Sequence, residues 1–102
     1  MLDIKAWLEA TGEPVADTAF VDAVPMPYIV FLDSAKHGGA DLQNVLIRHS
    51  LTVERYAATD EDNEKLEVLF DAKAFEYKKD RMWLDDIKCF MTTYDFDFIE
   101  KN

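Results

Sequence analysis

Two stretches of this chain alternate in a way that leaves little choice of secondary structure. Between residues 45 and 57, Val45, Ile47, Leu51 and Val53 take one side and Arg48, Ser50, Thr52 and Glu54 the other. Near the C-terminus Phe90, Tyr94, Phe96 and Phe98 alternate with Met91, Thr93, Asp95 and Asp97. Successive strand side chains point to opposite faces, so each stretch predicts a long strand with one apolar face. The second face is strongly aromatic, and a sheet presenting it needs a covering layer.

Two helical segments can supply that layer. Leu2, Ile4, Trp7 and Leu8 share one side of a helical wheel, with Gly12 placed as a stop. Thr59 reads as an N-cap followed by Asp60, Glu61 and Asp62 in the first turn, where the helix dipole favours negative charge. The stripe behind them is Leu66, Leu69 and Phe70, extended by Ala74. The acidic cluster serves capping and solvation, or faces a cationic partner.

All three prolines, Pro14, Pro25 and Pro27, fall in residues 13–27. Proline fixes φ and lacks an amide donor, so this segment predicts an irregular arm with at most a short extended piece at 19–21. Tyr28-Ile29-Val30-Phe31-Leu32 is apolar on both faces and predicts a central strand. Residues 34–41, with paired glycines and few apolar side chains, predict a long hairpin connection or surface flap. Residues 75–84 place Phe75, Tyr77 and Trp83 on one strand face around Lys78, Lys79 and Arg81, a basic knot at a tip or an edge. Asp85-Asp86 fits the turn between the last two strands. The expected fold class is a single α+β domain over residues 1–102, with a mainly antiparallel four-stranded sheet and two helices on one face.

The 102 residues carry 21 acidic and 11 basic side chains, a formal net charge of −10, with 49% hydrophobic residues. That apolar content supports one core and argues against disorder. The acidic excess repels phosphates, which disfavours a nucleic-acid binder held by neutralising contacts, and an anionic membrane surface likewise. The first eight residues lack a basic region followed by an apolar run, and no stretch approaches the ~20 residues of a membrane span, so a soluble, cytosolic product is expected.

Chemistry-bearing motifs are sparse. The lone Cys89 predicts a buried structural thiol in a reducing compartment. His49 falls on the apolar face and predicts a hydrogen-bonded core or groove histidine, while His37 reads as a solvated loop residue. Gly38-Gly39 lacks the lysine and spacing of a phosphate loop. Asp95 and Asp97 share a strand face about 7 Å apart, suited to a divalent cation or an acid/base pair, though a solvated face explains them more simply. No catalytic residue, metal site or cofactor is expected. The one concentrated basic site complements Asp60-Glu61-Asp62 or Asp95/Asp97 of a neighbouring copy, a heterologous contact that closes into a ring where the rotation permits.

The order of short helix, proline arm, Pro27-Tyr28-Ile29-Val30-Phe31, glycine-containing flap to Asp41, Leu51-Thr52-Val53-Glu54-Arg55-Tyr56, Thr59-Asp60 before a Glu/Leu-rich helix, and Tyr94-Asp95-Phe96 resembles the tail-completion proteins of long-tailed bacteriophages and prophages. These are also called tail terminators or tail-to-head joining proteins. Roughly the whole chain takes part, with short motifs, and it departs from the family pattern around residues 78–81. The resemblance implies a non-enzymatic structural protein of the virion tail, assembled in the bacterial host cytoplasm. It implies a ring, hexameric in expectation, that caps the tail tube, meets the head connector and lets DNA pass without specific binding. Acidic walls would keep a sliding duplex from sticking. On this reading Lys36, His37, Gly38 and Gly39 of the flap lie at a ring contact or the pore, and Asp60, Glu61, Asp62, Lys78, Lys79 and Arg81 at subunit contacts. An acidic DNA mimic, binding a basic host protein through residues 60–64 and Asp85-Asp86, is the alternative. A small metal-dependent enzyme using Asp95 and Asp97 is a weaker one.

Overall fold

The computed structural model describes residues 2–38 and 46–101. The chain runs α1 (Ile4–Glu9), β1 (Val15–Asp17), β2 (Tyr28–Gly38), β3 (Leu46–Ala57), α2 (Glu64–Ala72), β4 (Lys78–Leu84) and β5 (Cys89–Lys101). The strands form one five-stranded sheet of order β1-β2-β3-β5-β4. The α+β class is as expected, but the sheet is mixed and one strand larger. β1 pairs in parallel with Ile29, Val30 and Phe31 of β2, and every other pairing is antiparallel.

The extra strand arises inside the proline arm, earlier than the extended piece expected at 19–21. Pro14 donates no amide, yet its carbonyl accepts the Ile29 N–H at 2.8 Å, and the Thr18 N–H donates to the Phe31 carbonyl at 2.8 Å. A three-residue strand pinned at both ends is thus compatible with proline at its border. The chain then leaves the sheet at Thr18, which holds a positive φ of 68°. Beyond it the arm lays Phe20 edge-on against Tyr28, which stacks on Tyr56.

β2 does not stop at Leu32. Residues 34–38, expected in the flap, continue the strand, and the pairing with β3 runs unbroken from Tyr28↔Tyr56 to Gly38↔Leu46. Eleven ladder positions outweigh the weak strand propensity of Lys36 and Gly38. Lys36, His37 and Gly38 therefore belong to a strand rather than a loop, while Gly39 to Val45 lie outside the described residues. The middle of the sheet is β3, with β2 beside it.

Side-chain alternation sends Ile29 and Phe31 of β2, Leu51 and Val53 of β3, and Tyr94 and Phe96 of β5 to one face. Ile4 and Leu8 of α1 and Leu66 and Phe70 of α2 close over them in a single buried cluster. Both helices thus cover the same face. Phe70 meets the rings of Trp7, Tyr77, Tyr94 and Phe96 at centroid distances of 5.7, 5.4, 5.2 and 4.9 Å. Among the described residues no helix lies over the opposite face. There Leu32, Met82 and Ile99 stand 40%, 53% and 61% exposed. No helix among the described residues is long and apolar enough to cross a membrane.

The helix ends show which local signals prevail. Asp3 caps α1 by accepting the Ala6 N–H at 3.1 Å, and Gly12, at φ 88°, turns the chain away as the glycine stop predicts. For α2 the cap is Asn63, not Thr59: its side chain accepts the Lys65 N–H, and Asp60 to Asp62 precede the helix. At the other end Ala74 is exposed and takes φ 56° instead of extending the apolar stripe. Its N–H donates to Asp71, and that of Phe75 to Phe70, the paired bonds of a Schellman motif whose left-handed position ordinarily carries glycine. Ala74→Gly is expected to raise stability by about 1 kcal/mol, because the Cβ strain disappears. Urea denaturation checks this, and a variant less stable than the parent would show the strain to be absent.

Candidate functional site

The residues nominated for partner contacts separate into two groups. Lys36 and Lys78 project from exposed strand positions, and Lys78 Nζ lies 3.7 Å from Asp80 Oδ2. Lys79 and Arg81 behave differently. They sit on the helix-covered face of β4, the sheet-edge strand, and turn back over the chain's own acidic loop.

There Lys79 Nζ lies 3.0 Å from Asp62 Oδ2 and 2.9 Å from Glu67 Oε2. Arg81 Nη1 meets Asp60 Oδ1 at 2.7 Å, its Nη2 pairs with Asp62 Oδ1, and its Nε donates to the Thr92 hydroxyl at 2.9 Å. Glu67 also accepts the Tyr94 hydroxyl at 2.8 Å. The ionic complementarity read from the sequence is present, but its partner is the same chain. This network straps the β3–α2 loop and the first turns of α2 to β4. It also explains the displaced cap, since Asp60 and Asp62 are drawn toward the cations and cannot begin a helix.

The strap is electrostatic. The Lys79 hydrogen bond, with Arg81 beside it, holds the Asp62 carboxyl below its ordinary value despite some burial. For Glu67, burial pulls upward, but the bonds from Lys79 and Tyr94 prevail and the carboxyl is also lowered. Groups lowered in the folded state contribute stability above their unfolded values, about pH 4, and lose it as pH falls through the folded ones. Glu67→Gln is expected to cost about 1 kcal/mol at pH 7, a figure kept small by solvent screening, and to flatten the stability change between about pH 5 and 3. Thermal melts across that range test it, with parallel parent and variant profiles as the contrary result.

A deeper pair was not legible as a motif. Arg55 belongs to the apolar face of β3 and is buried, its Nε 2.9 Å from Glu13 Oε1 and its Nη2 2.9 Å from Glu13 Oε2. Its Nη1 donates to the Glu61 carbonyl at 2.7 Å. One guanidinium thus ties the proline arm to the loop before α2. Removing one partner of a buried pair leaves an uncompensated charge. Glu13→Ala should therefore lose about 3 kcal/mol in denaturant unfolding, and Arg55→Met distinctly less. Equal losses would place the cost in packing instead.

Towards the other end of the sheet His49 is buried, as its position on the apolar face implies. Its Nδ1 lies 2.8 Å from Asp33 Oδ2 and its Nε2 2.9 Å from Glu100 Oε1, with Phe98 stacked on the ring at 4.4 Å. Glu100 also accepts the Leu2 N–H, which lowers its carboxyl against the opposing effect of burial. The histidine clasps β2, β3 and β5 and, through Glu100, Leu2, two residues before α1. Asp33 Oδ1 is buried without a hydrogen-bond partner among the described residues. Cys89 is fully buried, and burial pushes its thiol up, away from nucleophilic character.

Asp95 and Asp97 stand exposed on the uncovered face, and Asp95 accepts the Thr52 hydroxyl at 2.7 Å. Asp85 fills the β4–β5 turn and takes Lys88 Nζ at 2.7 Å. Among the described residues no three histidine, cysteine or carboxylate side chains converge to hold a metal. An acidic groove of about 690 Å³ lies along α2, lined by Glu61, Asp62, Glu64, Glu67, Val68 and Asp71. No protein-family model and no curated protein sequence matches this chain.

Proposed function

We propose that this chain is a non-enzymatic structural subunit that assembles with copies of itself into a ring, terminating a phage or prophage tail tube and joining it to the head connector. The observation that carries the reading is the one-sided fold. Both helices cover one face of the sheet, and the other face offers exposed Leu32, Met82 and Ile99. A two-layer domain with exposed apolar groups on its open face is suited to packing against neighbours. The arrangement of short helix, arm, long hairpin, helix and hairpin supports the likeness to tail-completion proteins at the level of element order.

The partners on this reading are the chain itself, in a hexameric ring, together with the tail tube and head connector proteins. DNA traverses the lumen without specific contacts, in keeping with the net charge of −10. The acidic groove along α2 favours a second reading, a DNA mimic that occupies a basic protein. Light scattering over a concentration series, followed by negative-stain imaging, separates the two. The ring reading expects a mass several times 11.8 kDa and annular particles. A persistent monomer or dimer that competes with DNA for a basic protein would establish the alternative.

A further inference from the structure

We infer that neighbouring copies join edge to edge, with β4 of one copy adding antiparallel to residues 32–38 of β2 in the next. This rests on the ring reading above. Both edges are open among the described residues. β4 is the last strand of the sheet, and β1 covers only Ile29 to Phe31 of β2, leaving seven residues free. β4 is itself seven residues long. Unpaired main-chain donors and acceptors on an edge are a template for another strand.

The strand directions fit. β2, β3, β5 and β4 are successively antiparallel, so β4 runs opposite to β2. When rotation about an axis near the strand direction carries the sheet into the next copy, these two edges meet antiparallel.

Full overlap of the two seven-residue edges defines one register. It sets Asp80 opposite Lys36, Met82 opposite Ser34, and Leu84 opposite Leu32, all on the helix-free face. Asp80 is 64% exposed and Lys36 is exposed, so the one opposite-charge pair joins two side chains available to a neighbour. Leu32 and Leu84 form an apolar pair at the end of the seam. Lys79 and Arg81, engaged in the strap, face the other side. Opposite-charge and apolar cross-strand pairs favour this register over its neighbours, since a one-residue slip would turn each side chain to the other face.

The register also curves the assembly. Within one copy Asp80 is level with Val30, through Thr93 and Glu54. Pairing it with the neighbour's Lys36 steps the sheet by six residues over the four strands from β2 to β4. At about 3.3 Å per residue and about 4.8 Å per strand this is a tilt of about 45°, the upper end of the range in closed sheets.

The test uses the full chain carrying Ser34→Cys and Met82→Cys, both exposed, with Cys89 buried. Mild oxidation should give a ladder of disulfide-linked oligomers ending at the ring mass, and neither single variant should give one. Lys36→Asp or Asp80→Lys alone should raise the concentration for half-assembly about fivefold, and the double exchange should recover most of that loss. Wild-type rings with no ladder and no response to charge exchange would overturn the edge pairing while leaving the ring. A dimer linked through Met82→Cys alone would replace it with a two-fold β4 contact. A parent chain monomeric at every concentration would overturn both.

Discussion

The seating of Phe70 against the sheet is the contact on which the remaining architecture depends. Its ring is fully buried and touches aromatic side chains from α1, from the approach to β4 and from β5. Burying an aromatic side chain removes a large apolar area from water, and its edge-to-face neighbours add specificity of geometry. Because both helices converge on that seat, they occupy one face of the sheet. Among the described residues no helix covers the other face, which meets Phe20 of the arm at Tyr28, and the outer edges of β4 and of residues 32–38 are unpaired.

Charge reinforces the same division. Lys79 and Arg81 hold the acidic loop, and Arg55 holds Glu13, so three of the basic groups nearest the acidic loop are spent inside the chain. Lys36, on the part of β2 that β1 does not cover, and Lys78, on β4, lie on the helix-free side and are left to the surface. The excess of carboxylates therefore faces outward along α2 and across the uncovered strands, where it discourages phosphate.

Much of this was legible in the sequence, and the parts that were not share a cause. The alternation around Leu51 and around Phe96 gave β3 and β5 with their faces, Gly12 ended α1, and the turn containing Asp85 separates the last two strands. These are local patterns. By contrast β1 exists only because β2 lies beside it, and Ser34 to Gly38 are strand only because residues 46–50 pair with them. Asn63 caps α2 because Asp60 and Asp62 are held by cations some 20 residues away in sequence. The Arg55–Glu13 pair spans 42 residues. The sequence did point to Lys79, Arg81, Asp60 and Asp62 as complementary, but composition carries no information on whether a charge pairs within a chain or between chains.

The central claim is that the helix-covered face is complete in one copy and that the open edges are completed by the next. Hydrogen exchange followed by mass spectrometry, at protein concentrations below and above assembly, tests it directly. Peptides spanning β4 and residues 32–38 should become at least tenfold slower to exchange on assembly, with α2 unchanged. Protection that grows over α2 while β4 continues to exchange at its original rate would contradict the account.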